Sequence, residues 1–185
     1  MSRDTERIYD EYLVAAAATG DHAAWSRLVA RWQPRLLRHA WRLLDDAERA
    51  RDMVQEAWLE ILRGLVRLQD VAAFPAWAYQ ITTRRCQRAL RRIGRESVEE
   101  EDVQAGHDEP WPQQASGEFA ADVSVVMAAI ATLPGTQRAA LALFYIDELS
   151  VAEIAVATDV PPGTVKTRLM HARRKVRAIL EGDDS

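Results

Sequence analysis

The chain has 185 residues, 48% of them hydrophobic, with eight glycines and seven prolines; this mixture builds packed cores and excludes fibrous and wholly disordered classes. Its single cysteine, Cys86, precludes an internal disulfide, and four scattered histidines offer no metal-ligand spacing. The net charge of −4 hides an asymmetry: residues 1–93 hold 16 arginines against 12 acids, residues 94–123 one arginine against nine acids, and the remainder seven of each sign.

Every periodic stretch is helical, and none shows the apolar/polar alternation of a half-buried strand. The expected fold class is all-α: two small helical domains, residues 1–93 and 122–185, joined by a flexible acidic linker over 94–121. An alanine-rich helix over 3–19 stops at Gly20. Asp21 caps a second helix through Leu44, bent near Pro34, where the ladder loses a donor. Asp45 or Asp46 caps a third helix to about Leu68, with Met53, Val54, Ala57, Trp58, Ile61, Leu62 and Leu65 on its buried side. Phe74-Pro75 opens a fourth that runs to Ile93. The segment GRESVEEEDVQAGHDEPWPQQASGE lacks periodicity and buries too little to offset its ordering entropy. Helices over 119–132, 134–146 and 150–158 follow, then a long basic one. Ser150 and Glu153 form a capping box. Asp159-Val160 supplies a turn, and Pro161-Pro162 resets the chain at the first turn of the last helix. There, Val165, Leu169, Val176 and Leu180 form an inward apolar stripe.

Three constellations carry chemistry. In the third helix, Asp52, Gln55 and Glu56 share one face, suited to docking a basic helical partner; a merely solvated face is the alternative. In the fourth, Phe74, Trp77 and Tyr79 precede Arg84, Arg85, Arg88, Arg91 and Arg92, a pattern that suits unstacked bases and a phosphate backbone. In the last, Lys166, Arg168, His171, Arg173, Arg174, Lys175 and Arg177 appear with no acid before Glu181. Two short helices around a tight turn with a cationic second helix form a helix-turn-helix, which enters a DNA major groove. Lys166, Thr167, Arg168 and His171, in its N-terminal part, are the candidates for base edges. Thr164 at the helix N-terminus suits a phosphate, and Arg173, Arg174 and Arg177 suit the backbone. No phosphate-cradling glycine loop or catalytic constellation is present, so no enzyme activity, cofactor or metal is expected. No run of eighteen apolar residues exists, and the first residues lack the apolar core of a signal peptide, so a cytoplasmic location without membrane insertion is expected.

Together these segments resemble the extracytoplasmic-function (group IV) sigma factors of the sigma-70 family. LVARWQPRLLRHAWRLL (28–44) is similar to the family's first conserved helix. ARDMVQEAWLEIL (50–62) resembles its core-binding segment, and FPAWAYQITTRRCQRALRR (74–92) its promoter-melting helix. Residues 133–180, with Leu133, Pro134, Gln137, Arg138 and P-x-G-T-V-K-x-R-L, resemble its terminal domain. The resemblance implies a dissociable subunit that gives RNA polymerase its promoter choice. Asp52, Gln55 and Glu56 would dock on the clamp helices of the largest polymerase subunit. Trp77, Tyr79, Arg84, Arg85, Arg88 and Arg91, with the loop 68–74, would hold the melted minus-10 strand. Thr164, Lys166, Thr167, Arg168, His171, Arg173, Arg174 and Arg177 would engage the minus-35 duplex. An anti-sigma factor is the implied inhibitor. Many relatives carry Asn at Arg84, Asp at Arg88 and Gly at Asp159, whose side chain tolerates the left-handed conformation. The rival reading is a helix-turn-helix regulator with a helical N-terminal sensor domain.

Overall fold

The computed structural model describes residues 3–96 and 119–181, and these are helical throughout apart from short connections. Eight α-helices lie among them: α1 (Arg3–Ala18), α2 (His22–Leu44), α3 (Ala47–Gly64), α4 (Phe74–Glu96), α5 (Phe119–Ala131), α6 (Gly135–Tyr145), α7 (Val151–Thr158) and α8 (Pro162–Glu181). Two 3₁₀ turns, Leu65–Arg67 and Val71–Ala73, link α3 to α4. Most of the acidic segment read as a linker lies outside the described residues; its first three residues continue α4 to Glu96, and α5 takes up its end.

Polar residues start these helices. Asp21 accepts from the amides of Ala23 and Ala24, Asp46 from Arg49, and Asp70 from Ala72, filling donors that a helix start leaves orphaned. At α7 both arms of the capping box form: Ser150 Oγ accepts from the Glu153 amide and Glu153 reaches back to the Ser150 amide. Gly20, at φ +96°, ends α1. Asp159 ends α7 in the left-handed region, with φ 54° and ψ 46°, as the tolerance of Asp for that region allows. The helix over Pro34 continues unbroken to Leu44.

The first half packs α1 to α4 around an aromatic centre. Trp32 meets Phe74 edge-on at 5.1 Å and Tyr79 at 5.8 Å, and His39 lies 4.9 Å from Tyr79. The second half packs α5, α6 and α7 on α8 through Val165, Leu169 and Ala172. Two expected core residues are elsewhere: Leu62 is 50% and Leu180 44% exposed. The halves also pack on each other, α7 lying along α4 and α6 along α2, so that one hydrophobic core runs through both.

At that junction the fully buried His39 faces the Thr83 hydroxyl at 2.8 Å, and Thr83 donates onward to the Ala157 carbonyl at 2.8 Å. Because the hydroxyl proton is committed to Ala157, Nε2–H of His39 must donate, which selects the Nε2–H tautomer of the neutral ring; Nδ1 is left without a partner. Burial, aided by Arg42, pushes the His39 pKa down to about 3. The unfolded chain therefore binds this proton below about pH 6.5 while the folded chain does not, so stability falls with pH by ~1.4 kcal/mol per unit. Burial raises the Asp147 carboxyl, an effect of opposite sign that is relieved as pH falls. We expect a loss of about 2 kcal/mol from His39 between pH 7 and about pH 5, and a flatter profile in His39→Gln, which keeps a donor toward Thr83. Urea midpoints of both chains at the two pH values check this, and equal slopes would assign the dependence to another group.

Candidate nucleic-acid and partner interfaces

Helix periodicity sorts the α4 side chains onto different faces. Trp77, Arg84, Arg88 and Arg91 fall at i, i+7, i+11 and i+14, one stripe along the cylinder. Arg84, Arg88 and Arg91 are exposed and Trp77 is half-buried. The Trp77 ring lies across the end of α3, where a Cβ on Gly64 would come within 2.8 Å of it. Beside it opens a cleft of about 510 Å³ lined by Gly64, Arg67, Leu68, Gln69, Asp70 and Trp77. An aromatic wall, polar groups and a run of cations beyond them can hold an unstacked base and its backbone.

Tyr79 and Arg85 leave that stripe. Tyr79 is 1% exposed, on the opposite face among Trp32 and His39, and burial together with neighbouring Asp147 pushes its hydroxyl well above the usual range. In this packing it belongs to the core. Arg85 turns to α3, donating to Glu56 and Glu60, and these bonds raise its pKa.

On α3, Asp52, Gln55 and Glu56 are all exposed. The structure adds three residues the sequence reading missed: Leu59, Leu62 and Val66 are 56%, 50% and 74% exposed. With Asp52 and Gln55 they follow a 3-4-3-4 spacing into the 3₁₀ turn that holds Val66, so one outer stripe is acidic at its start and apolar at its end. That spacing was present in the sequence, overlaid on the stripe that packs inward. An acidic-to-apolar ridge of this size fits a basic amphipathic helical partner.

The cations of α8 also divide. Thr164, Thr167, Arg168 and His171 line one shallow cleft with Gln137, Pro161 and Gly163. Arg168 is partly desolvated, which lowers its pKa, and it forms no ion pair among the described residues; a guanidinium in this state can donate to a guanine edge or a phosphate. Arg174 is exposed on the outer side. Lys166, Arg173 and Arg177 point along the other flank. Arg173 stacks over Phe144 and Tyr145 at 5.3 and 5.5 Å, and Arg177 lies 3.8 Å from Glu181. Arg173 and Arg177 border an apolar groove of about 540 Å³ floored by Val126, Ile130, Leu141, Val176 and Leu180, with Arg42 and Arg138 also on its rim. So the helix presents a cleft with an unpaired Arg168 on one side and an apolar groove on the other.

Cys86 is fully buried, and burial pushes its thiol up to about 12, which keeps it protonated. Among the described residues no cluster of His, Cys, Asp or Glu can hold a metal, and no helix is long and apolar enough to cross a membrane.

Two parts of one family match in order along the chain: Sigma-70 region 2 over residues 28–96 and Sigma-70 region 4 over residues 124–176. The chain belongs to the extracytoplasmic-function sigma factors of the sigma-70 family. It carries the two regions with which these factors direct transcription initiation by RNA polymerase at promoters, and a stand-alone helix-turn-helix regulator is not favoured. It is similar to the ECF RNA polymerase sigma factor SigE of Mycolicibacterium smegmatis, 33% identical over 171 residues, which are 88% of this chain and 65% of the relative. It is also similar to the ECF RNA polymerase sigma-E factor of Escherichia coli, 29% identical over 184 residues, covering 93% of this chain and 94% of that protein. The chain thus spans just under two thirds of the mycobacterial relative and nearly all of the enteric one. The fold matches the sigma factor RpoE solved with the anti-sigma factor NepR from Bartonella quintana, with a TM-score of 0.71 at 22% identity over 85% of this chain and 96% of that one. It also matches CnrH solved with the cytosolic domain of CnrY, with a TM-score of 0.63 at 23% identity over 96% and 99%.

Arg173 has structural work to do in this sigma factor. We expect Arg173→Ala to lower stability by about 0.5–1 kcal/mol through loss of its aromatic contacts, and Lys166→Ala to leave stability unchanged. Thermal unfolding checks both, and an unchanged midpoint in Arg173→Ala would return Arg173 to the DNA-facing set.

Proposed function

We propose that the chain acts in the cytoplasm as a dissociable promoter-specificity subunit, without catalysis of its own, through three surfaces. The α3 ridge of Asp52, Gln55, Glu56, Leu59, Leu62 and Val66 docks on the coiled-coil clamp helices of the largest polymerase subunit. The α4 stripe of Trp77, Arg84, Arg88 and Arg91, with the loop 68–74, holds the non-template strand of the minus-10 element. The α8 cleft of Thr164, Thr167, Arg168 and His171 reads the minus-35 element as duplex, with Arg174 on the backbone. The observation that carries this reading is the separation of the three surfaces: the docking ridge and the strand-holding stripe lie on different helices of one half, and the duplex reader lies on the other. A free-standing regulator leaves the first two without a task.

The apolar groove between α5, α6 and α8 suits an amphipathic helix with acidic flanks from a protein partner. The similar solved structure from Bartonella quintana is named as a sigma factor bound to an anti-sigma factor, and an inhibitor of that kind is the partner expected here.

Run-off transcription with purified core polymerase is the decisive measurement: the chain is expected to confer initiation at specific start sites, and a core that gains none overturns the reading. Leu59→Asp with Leu62→Asp should weaken core binding by more than tenfold, about 1.4 kcal/mol, with helicity intact. Co-elution with core checks this, and unweakened binding removes the ridge from the interface. Arg168→Ala should lose about 1–3 kcal/mol at one minus-35 position. A uniform loss across promoter sequences makes it a phosphate contact instead.

A further inference from the structure

Two apolar surfaces of matching form lie open on this molecule. The outer stripe of α3 leaves Leu59, Leu62 and Val66 in solvent, and its N-terminal part presents Asp52, Gln55 and Glu56. On the other half, the groove of about 540 Å³ has an apolar floor that includes Val126, Ile130, Leu141 and Leu180 and arginines around it. A helix with acids at one end and apolar side chains at the other is the shape and charge that such a groove takes. Within the chain α3 packs on α2, α4 and the Leu65–Arg67 turn, and α8 packs on α5, α6 and α7. The ridge stays exposed and the groove stays open.

We infer that the free chain pairs with a second copy, the α3 ridge of one molecule lying in the α5–α6–α8 groove of the other.

Length and charge agree. Leu59 to Val66 covers about 11 Å of helix, and Arg173 to Glu181, the stretch of α8 along the groove, covers about 12 Å. Asp52 and Glu56 precede Leu59 by about two turns and one turn, which sets carboxylates against the arginines at the groove's edge. Of those arginines, Arg177 is highly exposed, and its pairing with Glu181 is long at 3.8 Å. Asp52 is exposed as well, so the two can meet without breaking a buried bond. The driving term is the removal of both apolar surfaces from water at once. The exposed charges give direction more than strength. Because ridge and groove belong to one polypeptide, every molecule brings the complement of its neighbour. Made twice about a two-fold axis the contact closes a pair, and made once it leaves a ridge and a groove free for further copies.

Sedimentation velocity on the free full-length chain, from about 1 to about 200 µM, spans the range of weak specific contacts. The average mass should climb from that of one chain toward that of two or more. In Leu59→Asp with Leu62→Asp, and separately in Leu180→Asp, the same rise should need at least about tenfold more protein. The decisive arm mixes these two variants in equal amounts. The first keeps its groove and the second its ridge, so one sound contact returns, and the mixture should pair where neither variant pairs alone. Circular dichroism confirms that each variant keeps its helicity; if Leu180→Asp loses it, Arg177→Glu stands in on the groove side. A parent that stays a single chain at about 200 µM overturns the pairing and leaves the ridge to polymerase and the groove to an inhibitor. Folded variants that associate as the parent does, or a mixture that gains nothing, also overturn it. Polymerase takes no part in these measurements, so the pairing and the promoter-specificity reading fail separately.

Discussion

The carbonyl of Ala157 closes a helix of eight residues, and the last carbonyls of any helix have no partner within it. A helix this short is unstable by itself in water, and a carbonyl buried without a donor forfeits about 1–3 kcal/mol. Thr83 removes that penalty from the other half of the molecule, and His39 in turn holds Thr83 by donating to its oxygen. The Thr83 oxygen needs that donor because Thr83 has a single proton and has spent it on Ala157, and burial keeps the donating imidazole neutral. The relay ties α7 to α4 close to where Asp159 meets Arg84, and burial at that junction depresses the His39 pKa.

Helix α4 serves three neighbours by dividing its circumference. One face, Tyr79 with Thr82, Thr83 and Cys86, is buried. A second sends Arg85 to Glu56 and Glu60 on α3, which couples α4 to the helix that carries the acidic-to-apolar ridge. The third is the cationic stripe. Arg84 and Asp159 are each other's partners here. Each looks like a loose end when its own motif is read alone. Together they form one contact.

Features set by neighbours in sequence were legible before any fold was known. Asp21, Asp46 and the Ser150–Glu153 box sit where a helix start needs acceptors, and Asp159 sits where a non-glycine residue takes positive φ. Periodicity also located the inner face of α3 through Val54, Ala57, Trp58 and Ile61. It misplaced Leu62 and Leu180, because a stripe of apolar residues says that a face is covered without saying by what. On α3 two apolar stripes overlap, and only one finds its cover within the chain. The division of α8 between a polar cleft and an apolar groove escaped for a related reason: six cations on one helix look uniform until Phe144 and Tyr145 claim Arg173. The packing of the halves was not legible at all, since Thr83 and Ala157 are 74 positions apart and neither residue type announces a distant partner.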